Sequence, residues 1–232
     1  MIFSPALTPL RVFTSLVLAA FLLVCTVPGH TALAAGKTAY QPNEQEIQKL
    51  TEANEAFRVK DFARARRLVQ PLANKEEPVA MFILGLLYVS ATDSAQDFRQ
   101  AESWWQKSSD LGFPDAQFNL GMLYYSGALG QRDMAKARAL WTKAAAHDQM
   151  DAVFGLGLLQ WTGDGGRKDQ PRAVKNFLKA AEGGHAQAMM ALAQAYRLGE
   201  GTRKDTRVAK EWFTKAKAAG APGADEALQS MP

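Results

Sequence analysis

The sequence predicts an all-α solenoid, a fold in which one pair of helices is repeated along the chain. The first observation is a fixed step of 36 residues, shown by Ala80, Ala116, Ala152 and Ala188. The second is that aspartates keep the same step, at Asp97, Asp133, Asp169 and Asp205. A period of this length is typical of solenoids, whose units bury their apolar faces only against their neighbours. We therefore look for function on an extended surface rather than in a catalytic pocket.

Each copy begins with a helix whose apolar residues fall at helical spacing. In the second copy these residues are Ala116, Leu120, Leu123 and Tyr124. Glycines at which a helix can end with positive φ follow at Gly127, Gly163 and Gly199. Other glycines lie inside these helices, at Gly85, Gly121 and Gly157, where each costs about 1 kcal/mol relative to alanine. We interpret them as places where the partner helix approaches closely.

The second helix of each copy follows a short loop. The repeated aspartates lie where its free N–H groups need a capping acceptor, and Pro171 fits its first turn. Large residues recur once per helix, at Trp105, Trp141, Phe177 and Phe213, and we interpret them as core between copies. Glycines mark the helix ends, at Gly112, Gly184 and Gly220. Pro78 and Pro114 then begin the next first helices.

The N-terminus has the pattern of a cleaved secretory signal. Arg11 is its only charge, residues 12–27 are uncharged and mostly apolar, and Ala32-Leu33-Ala34 supplies a cleavage site before Ala35. An uncleaved membrane anchor and a lipid on Cys25 are the alternatives. We expect an exported protein, periplasmic if bacterial and otherwise secreted or lumenal. Cleavage would remove the one cysteine, so the fold would be held by packing without disulfides.

Composition and motifs give little support to catalysis or nucleic-acid binding. Without Arg11 the chain keeps 26 basic residues against 23 acidic ones, which is not the footprint of a nucleic-acid-binding protein. The loop at residues 163–169 is glycine-rich but follows a helix, so a repeat turn is favoured over a phosphate site. His147 and His185 lack a Cys or His at ligand spacing, and no histidine can be tied to a serine nucleophile. We expect no metal, no cofactor and no enzymatic activity.

The second copy also carries a family motif. The string Ala116-x-Phe118-x-Leu120-Gly121-x-Leu123-Tyr124, followed by Gly127, Asp133, Ala137, Trp141, Lys143, Ala144 and Ala145, resembles the Sel-one-like repeat. That family is the longer-loop relative of the tetratricopeptide repeat. The resemblance implies a right-handed α-solenoid that mediates protein interactions. The first copy departs from the motif, with Ala91, Asp93 and Ser94 in place of loop glycines, and the fourth has Ala193 at the usual Gly position.

These patterns divide the chain into eight segments. We predict a signal peptide at 1–34, a flexible leader at 35–43 and a degenerate tetratricopeptide-like hairpin at 44–77. Four repeats follow at 78–113, 114–149, 150–185 and 186–221, and a C-terminal cap or tail at 222–232.

In tetratricopeptide-like solenoids the first helices line the concave face. The resemblance places the Phe82, Phe118, Phe154 and Met190 series there, then Leu86, Met122, Leu158 and Gln194, then Val89, Tyr125, Trp161 and Arg197. We choose as candidate partner-binding residues Phe82, Leu86, Phe118, Met122, Tyr125, Phe154, Leu158, Trp161 and Arg197. Tyr125 and Trp161 lie just outside the family motif, and such aromatic residues are enriched in binding hot spots.

The function expected from this reading is a non-enzymatic exported scaffold that binds a protein or peptide in the envelope. A cell-wall or polysaccharide-binding module is the main alternative, because exposed aromatic residues also stack on sugars. A β-lactam-interacting enzyme is a further one, although the paired cysteines of such relatives are absent here.

Overall fold

The computed structural model describes residues 40–90 and 97–231, and every regular element in these ranges is an α-helix. They are α1 (Glu44–Arg58), α2 (Phe62–Ala73), α3 (Pro78–Ser90), α4 (Phe98–Asp110), α5 (Pro114–Ser126), α6 (Met134–Ala145), α7 (Met150–Thr162), α8 (Gln170–Glu182), α9 (Ala186–Leu198), α10 (Thr206–Ala218) and α11 (Ala224–Gln229). The predicted all-α class is confirmed. The predicted signal peptide and the unusual loop with Ala91, Asp93 and Ser94 lie outside the described residues.

The described residues form two compact units. The N-terminal unit holds α1 to α5 and ends at Asp133, and the C-terminal unit holds α6 to α11 and begins at Met134. Within each unit a helix packs chiefly against the helices before and after it in sequence. Such nearest-neighbour packing is the organisation of an α-solenoid. None of the helices in these two ranges is long and apolar enough to cross a membrane.

The predicted signals define the helix ends. Side chains of Asp97, Asp169 and Asp205 accept hydrogen bonds from backbone N–H groups in the first turns of α4, α8 and α10, at 2.9, 3.1 and 3.0 Å. The first helices α5, α7 and α9 stop at Gly127, Gly163 and Gly199, whose φ values are 75°, 90° and 76°. Local sequence therefore specifies where these second helices begin and where these first helices end.

A second left-handed turn follows each second helix, and it also recurs every 36 residues. Its central residue has positive φ in all five copies: Glu76 (63°), Gly112 (85°), Asp148 (56°), Gly184 (89°) and Gly220 (73°). Three of these positions carry the glycine that the sequence predicts, while Glu76 and Asp148 hold the same conformation with a side chain. A non-glycine residue is strained there, because its Cβ approaches the backbone closely.

The core of each unit depends on glycines that admit a large ring. A Cβ at Gly85 would lie 2.2 Å from Nε1 of Trp105, and one at Gly157 would lie 2.8 Å from Cε1 of Phe177. Both rings are almost completely buried, as are Trp141 and Phe213. The predicted close approach is therefore confirmed at Gly85 and Gly157, and the large residues of the second helices form core.

Candidate partner-binding surfaces

The N-terminal unit buries four of its five predicted contact residues. Leu86 has no exposed surface, and Phe82 is 1% exposed, with its ring centroid 5.4 Å from that of Phe113. Phe118 and Met122 are 3% and 6% exposed. Tyr125, on the last turn of α5, is half-buried. In this unit Tyr125 is thus the predicted residue that presents substantial surface.

The C-terminal unit leaves more of its first helices exposed. Phe154 and Leu158 on α7 and Met190 on α9 are half-buried, and all three pack against the same buried cluster. The Phe154 ring lies 4.5 Å from the His185 ring, measured between centroids. Trp161 is different, because it is only 8% exposed and its ring centroid lies 5.8 Å from that of Phe177. Trp161 therefore contributes mainly to packing.

A polar group accompanies these apolar side chains near the end of α9. Arg197 is half-buried, and its Nη1 donates a hydrogen bond to Oγ of Ser230 at 3.5 Å. Its Nε is buried and has no hydrogen-bond partner within the part of the chain that the structure describes. Gln194, one turn earlier, is also half-buried. We call Phe154, Leu158, Met190, Gln194 and Arg197 the α7–α9 strip.

His185 has a structural role next to this strip. Its Nδ1 accepts a hydrogen bond from the backbone N–H of Ala188 at 3.1 Å, which caps α9, and its Nε2 lies 3.3 Å from Oδ1 of Asp151. Both ring nitrogens therefore have partners within the C-terminal unit. Across residues 40–90 and 97–231, no three His, Cys, Asp or Glu side chains form a group able to hold a metal ion.

Ionisable groups cluster where the described chain begins. Lys75 donates a hydrogen bond to Glu46 at 2.9 Å, and this contact, with that from the Asn43 backbone, lowers the pKa of Glu46 to about 2. Burial and the neighbouring Glu46 raise the pKa of Tyr40 to about 12. Burial also raises the pKa of Glu77, which accepts a hydrogen bond from the Ala80 N–H at the start of α3. These contacts hold residues 40–43 against the first helix pairs.

The N-terminal unit also contains a cleft that sequence reasoning missed. Its volume is about 490 Å³, and it is lined by residues of α2, α3 and α4, of the turn between α2 and α3, and by Leu111 just after α4. Buried Met81 and half-buried Trp104 and Leu111 supply apolar surface, and exposed Glu76, Lys107 and Asp110 supply charge. The sequence feature that could have indicated this cleft is Glu76, because the equivalent position carries glycine in three other turns, at Gly112, Gly184 and Gly220.

Helix pairs that stack on their sequence neighbours and expose part of their first helices define a helical-repeat scaffold. The Sel1 repeat family model matches residues 78–113, 114–148, 151–185 and 186–220, more than half of the chain. The chain belongs to the Sel1 repeat family. Proteins of this family serve as interaction scaffolds that bind protein partners, and the family is generally non-catalytic.

Solved structures agree with this assignment. A Sel1 repeat protein from Oxalobacter formigenes is 26% identical, with a TM-score of 0.69, over 77% of this chain and 74% of its own. A protective antigen of uropathogenic Escherichia coli with an SLR fold is 29% identical, with a TM-score of 0.68. The match covers 71% of this chain but about a third (35%) of that antigen. An immunity protein from Pseudomonas aeruginosa shares the fold, with a TM-score of 0.55. It is 19% identical, and the match covers 85% of this chain and 74% of its own. No functionally curated protein matched the sequence.

Proposed function

We propose that this chain is a non-enzymatic, exported scaffold that binds a protein or peptide segment through the exposed parts of its first helices. The observation that carries the proposal is the α7–α9 strip. Two consecutive first helices present half-buried apolar side chains there, Phe154, Leu158 and Met190, beside the half-buried guanidinium of Arg197. A partner's carbonyl or carboxylate oxygen would accept hydrogen bonds from the accessible N–H groups of that guanidinium.

The chemistry of the strip favours a protein segment as its occupant. Apolar surface next to a few convergent polar groups is typical of peptide-binding grooves. Arg197 supplies donors that match a carboxylate or a backbone carbonyl, and Gln194 supplies both a donor and an acceptor. In the N-terminal unit, Tyr125 offers a separate aromatic contact of the kind enriched in hot spots.

Export is the second part of this proposal, and it rests on the sequence of residues 1–34. A short apolar run after a single positive charge, with a small-residue site before Ala35, is typical of secretory signals. Expression in a Gram-negative host followed by fractionation and N-terminal sequencing tests it. Mature protein that begins at Ala35 in the periplasmic fraction is expected, and full-length protein in the cytosol would contradict export.

The binding surface is tested by a matched pair of leucine variants. Leu158 and Leu178 are both half-buried and pack against the same cluster, but Leu158 lies on a first helix and Leu178 on a second helix. We expect Leu158→Asp to lose the proteins that wild type captures from envelope extract, and Leu178→Asp to retain them. Circular dichroism compares folding, because both changes place a charge beside the same core.

A charge reversal at Arg197 gives an independent measurement. Arg197→Glu should lower capture of the same partner, because the guanidinium donors are replaced by a carboxylate that repels acceptor oxygens. Equal capture by wild type, Leu158→Asp and Arg197→Glu would contradict the assignment of the strip. Binding to purified peptidoglycan that these two variants weaken would replace the protein partner with a cell-wall glycan.

A further inference from the structure

The cleft of the N-terminal unit lies in a place where the fold repeats, so its residues can be compared with their equivalents. Position 76 is followed 31 residues later by Lys107, and position 148 is followed at the same distance by Lys179. Asp148 and Lys179 form an ion pair of 2.6 Å, which also holds the pKa of Asp148 below its usual range. The acidic residue of this left-handed turn therefore has a partner in the C-terminal unit.

Glu76 is not paired in the same way. Within the described ranges it forms no ion pair, and Lys107 instead places its Nζ over the Trp104 ring, 4.4 Å from the centroid. The cleft of about 490 Å³ lies among these three side chains. Asp148 and Lys179 form an ion pair, whereas the equivalent residues Glu76 and Lys107 do not. Glu76 and Lys107 instead both line the open cleft.

The backbone conformation of Glu76 is itself strained. Its φ of 63° lies in the left-handed region, where Gly112, Gly184 and Gly220 stand in the equivalent turns. Glycine adopts this conformation without strain, whereas glutamate does not. Within the described residues, no ion pair of Glu76 offsets this strain.

The last copy shows the same surface without the glutamate. Trp212 and Lys215 repeat the pair formed by Trp104 and Lys107, with Nζ 4.0 Å from the ring centroid, and Gly184 occupies the position of Glu76. The aromatic–lysine pair is therefore a recurring structural contact. What distinguishes the cleft is the added carboxylate of Glu76, together with Asp110 on the same rim.

We propose that this cleft binds an organic cation, an ammonium or guanidinium group on a short apolar stem. Glu76 and Asp110 outnumber Lys107 on the rim, so the charged lining favours a positive group. Met81, Leu111 and the edge of the half-buried Trp104 provide apolar surface for the stem. The volume lies within the range of about 300–1,000 Å³ that is usual for small-ligand sites. The ligand is either a free amine or a basic side chain of a peptide, and none of the residues that would bind it belongs to the α7–α9 strip.

The test uses the full mature chain and the indole N–H signal of Trp104 in a ¹H–¹⁵N NMR spectrum, assigned with Trp104→Phe. Agmatine represents the free cation, and an acetylated, amidated Ala-Arg-Ala peptide represents the basic side chain. We expect a saturable shift of this signal with at least one probe. Tighter binding of agmatine identifies a small-molecule site, and tighter binding of the peptide identifies a contact for a protein partner.

Glu76→Gly separates binding from stability. It removes the carboxylate but suits the left-handed turn, so affinity should fall roughly tenfold or more, while the thermal midpoint should rise by about 2 °C. Glu76→Gln keeps the shape and should also lose affinity. Asp148→Gly makes the same change in the equivalent turn of the C-terminal unit and should bind both probes as wild type does.

Three results would overturn the proposal. The first is the lack of a saturable shift of the Trp104 signal with either probe. The second is wild-type affinity in both Glu76→Gly and Glu76→Gln. The third is saturable binding of hexanoate, an anion on a similar stem, in preference to agmatine.

Discussion

Gly85 lies where a second helix approaches a first helix very closely, and its replacement by alanine tests how the helix pairs are held together. The added Cβ would lie 2.2 Å from Nε1 of Trp105 and 2.4 Å from its Cδ1, well below any normal contact. The Trp105 ring is fully buried and cannot turn into solvent. Its indole N–H also donates to the carbonyl of Phe82 at 3.1 Å, so a displaced ring loses this hydrogen bond.

The expected size of the effect follows from three contributions. Overpacking a core costs about 1–3 kcal/mol. Leaving a buried donor unsatisfied costs about 1–3 kcal/mol. Alanine regains about 1 kcal/mol over glycine within a helix. With central values, Gly85→Ala should lower the free energy of unfolding by about 3 kcal/mol. For a chain of this size, that corresponds to a fall of about 6–12 °C in the thermal midpoint.

Urea unfolding followed by circular dichroism at 222 nm measures this loss. Ser103→Ala on the exposed face of α4 serves as the control, because it changes helix propensity without meeting the core. It should alter stability by less than about 0.5 kcal/mol. A Gly85→Ala variant as stable as wild type, or more stable, would refute the argument that close approach requires glycine.

A second variant identifies the Trp105 ring as the cause. In the last copy the equivalent positions carry Ala193 and Phe213, both buried, so an alanine–phenylalanine pair fits this interface. Gly85→Ala should therefore cost less in a Trp105→Phe background than in wild type. We expect a coupling energy of about 1 kcal/mol or more. Equal cost in both backgrounds would mean that the clash lies elsewhere.

Three further predictions concern local features. Asp205→Ala should lower stability by about 1 kcal/mol, since it removes the cap of α10, whereas Asp205→Asn should not; urea midpoints compare the two. Gly199→Ala should cost about 1–2 kcal/mol, because the new Cβ meets positive φ and lies 3.0 Å from Cβ of Lys204, and Gly199→Asn should cost less. The pKa of Glu46 is lowered to about 2 in the folded protein, so the unfolded chain takes up a proton at this carboxylate at higher pH than the folded protein does. The free energy of unfolding should therefore fall as the pH decreases from the usual carboxylate pKa toward about 2. Lys75→Met should reduce this part of the acid dependence in a pH series of urea midpoints, and an unchanged acid limb would count against the contact.

The sequence by itself determined the features that repeat. Helix ends depend on one or two local residues, so Asp97, Asp169 and Asp205 were identifiable as caps and Gly127, Gly163 and Gly199 as stops. The mid-helix glycines also predicted close helix approach, because few other reasons offset their cost. The family assignment rests on the same repeated residues, and the matched segments cover them.

Only the tertiary structure decided how much each equivalent residue is exposed. Phe82 and Phe154 occupy the same position of the repeat, yet Phe82 is 1% exposed and Phe154 is half-buried. The Phe82 ring packs against Phe113, whereas the Phe154 ring packs against His185, which occupies the position equivalent to Phe113. Exposure depends on such neighbours from other helices, which periodicity does not reveal. The cleft beside Glu76 escaped prediction for the same reason, because it is formed where side chains from three helices and a turn leave space between them.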